Sequence, residues 1–460
     1  MRKKIIKDAH VAVFKNNKFE LLNNFSILIN NNLIEKIDKF ENLDSNNAYI
    51  INAKDKIAIP GLINTHHHLS QSLTRGMINV QNSKLFDWLV NLYKVWKNLS
   101  YEALYISSLV SLTEMAVYGC TTSTDMCYLF PQNSDAKLDA VIQAAQELGI
   151  RFHAGRGSMS LGESKGGLPP DINTQDEKTI IKDCLRVIES YHDKRKFSML
   201  RIDLAPCAPF SVSKDLMLEI RNIAKDNNLL CHTHLAETLD EEVYCLEKYN
   251  CRPVKFLQDL NWLGNDVYLA HCVHLNQDEI KLFAKTNTSV AHCPSSNMRL
   301  GSGIPPIIEM LNENVNVAIG VDGSSSNDSG NILNEVKMAM YLQRVKHGAS
   351  CMNVSDALKL GTINGAKLLN RSDELGNIEE GKAADISIFN LKTLEHAGAY
   401  SQDPLGALVL CNPNRADTVI VNGEIIVDNK IPVKVDIEKI SHKLNEIVKD
   451  KFMPDLSNIT

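Results

Sequence analysis

The rhythm of apolar positions changes twice along the chain. From residue 1 to about 58, short β-branched runs such as "HVAVF", "FSILI" and "NNNLIEKI" are separated by Asn-rich turns, the punctuation of hairpins. The far end, from 371 to 460, returns to that texture in "ADISIFNL" and "DTVIVNGEIIVDNK", where "NG" between apolar runs marks a tight hairpin turn. These ends, 1–58 and 371–460, predict one small β-sandwich domain built from both termini.

Between them, residues 59–370 alternate apolar strand-like runs with amphipathic segments. Eight candidate strands stand out: "AIPGLINTHHH", "CTTSTDM", "IRFHAGRGS", "LRIDLAPCAP", "NLLCHTHLAE", "DVYLAHCVHL", "TSVAHCPSS" and "NVAIGVDGSS". Each is followed by a polar loop and then helix-like sequence. In "YEALYISSLVSLTEMAVYG", Leu104, Ser107, Leu109, Leu112 and Met115 fall near helical spacing, with Gly119 as a C-terminal cap. Eight strand–helix units predict a parallel (β/α)8 barrel, whose catalytic groups sit at the C-terminal ends of its strands.

Composition narrows the classes. The 460 residues are 44% hydrophobic and carry a net charge of -6 without long like-charge tails, so no basic footprint for nucleic acid exists. Eleven cysteines lie singly, with no CxxC pair, which points to a reducing compartment rather than a disulfide framework. No window approaches the roughly 20 apolar residues that span a bilayer, and Lys7, Asp8 and His10 interrupt the start before a signal peptide can form. A soluble, cytoplasmic enzyme with a small-molecule substrate is the expectation.

Polar residues gather at predicted strand ends. The first strand ends in His66-His67-His68; side chains alternate with period two, so His66 and His68 share a face while His67 turns away. The fifth ends in "CHTHLAE", where His232 and His234 share a face and Glu237 follows. The sixth brings His271 and His274, the seventh His292 and the eighth Asp322. Singly, a histidine inside such an apolar run is more often a hydrogen-bonded core residue than a ligand. Together, at the ends of one barrel's strands, they outline a site for a divalent metal and a proton carrier.

The motifs "PGLINTHHHLSQSLTRG", "HTHLAE", "AHCVHL", "AHCPSSNMRL" and "GVDGSSSND", with "GNIEEGKAAD" near the C-terminal sheet, resemble those of the amidohydrolase superfamily and its aminohydrolase branch. "LFDWLVNLY", "GCTTSTD", "HAGRGSMSLGESKGGLPPD" and "APCAPFSVS" are most similar to 8-oxoguanine deaminases and neighbouring triazine and pterin aminohydrolases. The resemblance implies His66, His68, His234 and Asp322 as ligands of one divalent metal, zinc by donor type with iron(II) as the alternative. The fourth strand lacks the lysine that two-metal relatives carry, which favours one ion. Glu237 becomes the proton shuttle, Asp322 a proton acceptor as well as a ligand, and His271 a polarising group. The implied reaction is hydrolytic removal of an exocyclic amine from an oxopurine such as 8-oxoguanine, with ammonia released. Hydroxytriazine, isoxanthopterin and S-adenosylhomocysteine or adenosine are alternative substrates. A cyclic-amide hydrolase would want the missing lysine, and a non-catalytic scaffold would have lost ligands. A homodimer would be ordinary for the family.

For the substrate pocket, Gln71, Trp88 and Arg156 are the candidates, and "SLGESKGGLPPD" reads as a mobile covering loop. Cys207, Cys272 and Cys293 lack a neighbouring base motif and read as packing residues.

Overall fold

A computed structural model describes residues 3–411 and 414–453; the predicted terminal domain thus includes stretches outside the described residues. Eight parallel strands form the centre: β1 (Leu62–Asn64), β2 (Cys120–Cys127), β3 (Arg151–Ser158), β4 (Leu200–Pro206), β5 (Cys231–Leu235), β6 (Val267–His271), β7 (Ser289–His292) and β8 (Val317–Ile319). Each pairs with its chain neighbour. The seam between β8 and β1 is drawn together just beyond the strands, where Thr65 N donates to Ile319 O (2.9 Å) and Asp322 N to His66 O (3.0 Å). Helices occupy the crossovers, as parallel strands require. Among them, Tyr101–Val117 runs as the spacing predicts and ends ahead of Gly119, whose φ of 93° is open to glycine without strain.

The predicted first strand divides. Lys56–Pro60 pairs antiparallel with Ile386–Asn390 in the terminal sheet, and only after Gly61 does β1 enter the barrel. One apolar run serves two sheets because both faces of each segment are buried, which hides the hand-over from a periodicity argument.

The terminal strands form one nine-stranded mixed sheet. It folds over on itself: Leu33 bridges Ala383, and Asn32 Nδ2 donates to Asn422 Oδ1 (3.3 Å). Ile6, Val11, Ile27, Ile34, Ile386 and Ile420 are buried in a core of their own. The later part of the chain also returns to the barrel. Helix Ile437–Ile447 buries Ile440, Leu444 and Ile447 in the main core and pairs Lys443 with Glu102 of the Tyr101–Val117 helix (2.8 Å). At the barrel floor Arg151 of β3 makes a two-pronged ion pair with Asp385, at 2.9 and 3.0 Å, locking sheet to barrel. No described helix is long and apolar enough to cross a membrane.

Candidate active site at the C-terminal end of the barrel

The chain continues extended past β1, and His66 and His68 share a side with ring centroids 4.7 Å apart. Their surroundings set which nitrogen carries hydrogen. His68 Nδ1 lies 3.0 Å from Met126 O, His234 Nδ1 2.7 Å from Cys207 O, and His232 Nδ1 2.9 Å from Tyr268 O. A carbonyl only accepts, so all three Nδ1 atoms donate and their Nε2 atoms keep a lone pair. His232 Nε2 in turn accepts from His66 Nδ1 (2.7 Å), leaving His66 Nε2 bare. Burial holds His66 and His234 well below the ordinary imidazole range and His232 down to about 3, so the rings are neutral.

The bare nitrogens converge. His68 Nε2 and His234 Nε2 stand 3.0 Å apart. Asp322 Oδ1 is 3.3 Å from His66 Nε2 and 3.4 Å from His68 Nε2. His66 Nε2 is buried without a hydrogen-bond partner. Three imidazole lone pairs and a carboxylate oxygen, with no hydrogen between them, repel one another unless a cation sits among them. The donor set therefore fits a divalent ion of zinc or iron(II) type. Burial alone would raise Asp322, but the closeness of His66, His271 and His68 holds it well below the usual carboxylate range. Ser296 Oγ (2.6 Å) and Ser326 Oγ (3.1 Å) donate to its other oxygen.

Beside this cluster, Glu237 is buried, and burial, opposed by the charge of His271, pushes its carboxyl up to about 7. Its Oε2 lies 3.6 Å from His271 Nε2, which is also 3.9 Å from Asp322 Oδ2. Burial would lower His271, but Glu237 and Asp322, with Asn297 Oδ1 at 3.0 Å from Nδ1, leave it above the ordinary value. His271 further groups with His66 and His234, nitrogen atoms all within 4.8 Å. Asn297 and Ser296 belong to the short helix Pro294–Arg299, whose first turn is gripped by buried Glu335 through Ser295 N (3.0 Å) and Oγ (2.6 Å).

The cleft above has aromatic walls from Trp88, Tyr128 and Phe210, with Leu85, Leu89 and Leu300 between them; Gln71, Ser326, Glu237, His271 and Asp322 supply polar groups. Gln71 Oε1 accepts from Ser325 Oγ (3.0 Å). Trp88 Nε1 donates to Ser325 O (3.3 Å). A Cβ at Gly323 would sit 1.8 Å from Gln71 Oε1, so glycine there makes room for the amide. Tyr128 and Phe210 had a sequence signal, since both lie just beyond strand ends, but nothing in their type marked them out.

Arg156 is not in the cleft, contrary to expectation. Its guanidinium donates to Asp183 (2.6 Å), Gln175 (2.9 Å) and Gly157 O, and lies over the Phe130 ring at 4.1 Å. On β3, His153 points into the lumen toward Asp203 of β4 (3.3 Å); three residues on, Arg156 must face the outer helices. The glycine-rich loop is likewise pinned rather than free: Tyr244 Oη donates to Gly166 O (2.9 Å) and Leu168 N to Phe210 O (3.0 Å). His67 turns away from the cluster, its ring nitrogens unpartnered. His274 Nε2 is taken by Ser302 O (2.9 Å), and His292 is buried with both nitrogens bare. Cys207 lines the cleft, but burial pushes its thiol up to about 12, leaving no thiolate nucleophile.

Comparison with known proteins agrees with this architecture. Residues 57–426 match the amidohydrolase family model. The 8-oxoguanine deaminase of Pseudomonas aeruginosa is 44% identical over 81% of this chain and 82% of its own length. A 5-methylthioadenosine/S-adenosylhomocysteine deaminase of Halothermothrix orenii is 31% identical over 97% of this chain and 99% of its own. The crystal structure of atrazine chlorohydrolase from Arthrobacter aurescens TC1 complexed with zinc superposes with a TM-score of 0.91 at 32% identity, covering 96% of this chain and 99% of that one.

Proposed function

The chain belongs to the amidohydrolase family, as a hydrolase acting on C–N bonds, and from that premise we propose that it deaminates an oxopurine-like heterocycle, 8-oxoguanine first, with release of ammonia. The observation that carries the reaction class is Glu237, a buried carboxyl pushed up to about 7 and set beside His271 and Asp322. The substrate assignment rests on the 44% identity to 8-oxoguanine deaminase.

His66, His68, His234 and Asp322 would hold the single ion. When bound, it supplies a hydroxide equivalent at neutral pH by acidifying water. The remaining work belongs to side chains. Asp322 and Glu237 share the proton that water gives up, and Glu237 carries it to the ring nitrogen beside the attacked carbon. His271, between two carboxylates, holds a hydrogen toward the oxygen that becomes the new carbonyl. The water oxygen bonds to the attacked carbon, and its remaining proton passes through Asp322 to the amine. The C–N bond breaks as the carbonyl forms, so that ammonia leaves and the ring nitrogen keeps the first proton. Trp88, Tyr128 and Phe210 sandwich the planar ring and exclude water. With Oε1 occupied by Ser325, Gln71 offers its N–H to a ring acceptor.

Ammonia release by the purified, metal-loaded protein tests the proposal, against 8-oxoguanine, guanine, isoxanthopterin, hydroxyatrazine, cytosine and S-adenosylhomocysteine. The highest kcat/KM is expected with 8-oxoguanine. A highest value with S-adenosylhomocysteine would favour the second reading, for which the nearly full-length match to that deaminase speaks. Ring opening of a cyclic amide without any ammonia would overturn both.

A further inference from the structure

Glu241 takes no part in the reaction above, yet its carboxylate is fully buried directly behind Glu237. Its Oε1 accepts from Ala236 N (2.9 Å) and its Oε2 from Glu237 N (3.1 Å). A side chain in the first turn of helix Leu239–Tyr249 thus grips two consecutive peptide N–H groups upstream of that helix. The other side of the turn is held as well: Ala236 O accepts from Val273 N (2.9 Å) and His274 N (3.0 Å), and Leu235 O from Cys272 N (3.0 Å).

The turn is one that needs holding. Ala236 has φ 50°, and across from it His271 and Cys272 have φ 69° and 51°, conformations that side-chain-bearing residues adopt only when their surroundings impose them. The two bent segments carry Glu237 and His271, whose side chains meet at 3.6 Å. Thr238, at the usual capping position, makes no capping bond, and its hydroxyl is buried without a partner. Thr238 leaves the helix start without a side-chain cap, and Glu241 reaches back past it to a two-pronged grip on the catalytic turn.

We propose that Glu241 is a positioning residue: its bidentate carboxylate orients the Ala236–Glu237 peptide, and through it sets where the Glu237 carboxyl stands relative to His271 and the substrate ring nitrogen. This rests on the deaminase reading only for its kinetic readout. A plain helix cap would affect stability alone. An orienting grip affects kcat, because displacement of about 1 Å at a reacting group can cost on the order of 100-fold.

The test uses the full-length, metal-loaded enzyme with the best substrate of the panel. Glu241→Gln keeps one acceptor but turns an NH2 toward a peptide N–H; Glu241→Asp keeps the charge but is too short to reach both. Both are expected to retain metal content and KM while kcat falls about 10- to 100-fold, and amide hydrogen exchange in the 231–241 segment should quicken. In a Glu237→Gln background, where the oriented group is gone, Glu241→Gln should add little to the loss in single-turnover rate. A kcat within twofold of wild type in a metal-replete Glu241→Gln or Glu241→Asp protein would overturn the proposal, as would an undiminished effect in the Glu237→Gln background. Unchanged exchange in that segment counts against it even if no panel compound is deaminated, an outcome that would sink the functional reading instead.

Discussion

His68 and His234 face each other through their Nε2 atoms at 3.0 Å, while both Nδ1 atoms donate to backbone carbonyls. Two lone pairs at that distance are favourable only around a cation. Metal analysis of the purified protein should therefore find one divalent ion per chain. Removing it with a chelator should lower the thermal midpoint and stop turnover, with zinc restoring both; a ligand at 100 times its Kd stabilises by about 2.7 kcal/mol. An unchanged midpoint after complete removal would refute the site, and two ions per chain would refute the single-metal assignment.

Glu237 is close to His271 and no described bond ties it to His66, His68 or His234. Glu237→Gln should keep the metal and the fold but cut kcat by about 100- to 10,000-fold, the usual worth of a positioned acid–base group. Substantial residual turnover would remove Glu237 from the mechanism.

Gly323 leaves room for Gln71, and a methyl group there would lie 1.8 Å from the amide oxygen. Gly323→Ala should swing Gln71 aside and raise KM about tenfold, the value of one polar contact, with metal content unchanged. If steady-state kinetics give a wild-type KM, Gln71 does not read the substrate.

Arg156 spends its guanidinium on Asp183 and Gln175 outside the cleft. Arg156→Gln should leave KM within twofold while lowering stability by about 1.5–3 kcal/mol in chemical denaturation, typical of hydrogen bonds to a charged group. A large rise in KM would return Arg156 to the pocket.

His292 is buried with both ring nitrogens bare and is pushed down to about 3 by burial. The unfolded chain protonates it near 6.5, so below that pH the unfolded state binds a proton the folded state refuses. Its contribution is present above about 6.5 and is lost between there and about 3, at about 1.4 kcal/mol per pH unit. Denaturation midpoints for the wild type and His292→Gln across that window should show the variant's slope shallower by one proton. Parallel slopes would mean that His292 is charged in the folded protein.

Much of this was legible in the chain itself. Strand periodicity pairs His66 with His68 and sets His67 aside, and the same rule places both His232 and His234 on the lumen side. The alternation of strands and helices implies the barrel, and a barrel puts Glu237, His271 and Asp322 at one end. The phase of β3 even held the true orientation of Arg156, three residues after a lumen-facing His153. That β3 is buried along its whole length hid it, because a strand covered on both faces shows no contrast between its two sets of side chains.

Only the tertiary structure decided the rest. His232 and His234 differ by one step along β5. That step puts one ring beneath the site as the partner of His66 Nδ1 and the other against His68 Nε2. The tautomers follow from carbonyls supplied by β2, β4 and β6 together with the segments that follow them, groups brought together only by the closed barrel. The grip of Glu241 on the Glu237 turn is local in sequence, yet the turn exists because segments beyond β5 and β6 bend against each other. Sequence carries the period of each strand and the types of its side chains. Which lone pairs meet at 3 Å is settled where strands far apart in the chain converge.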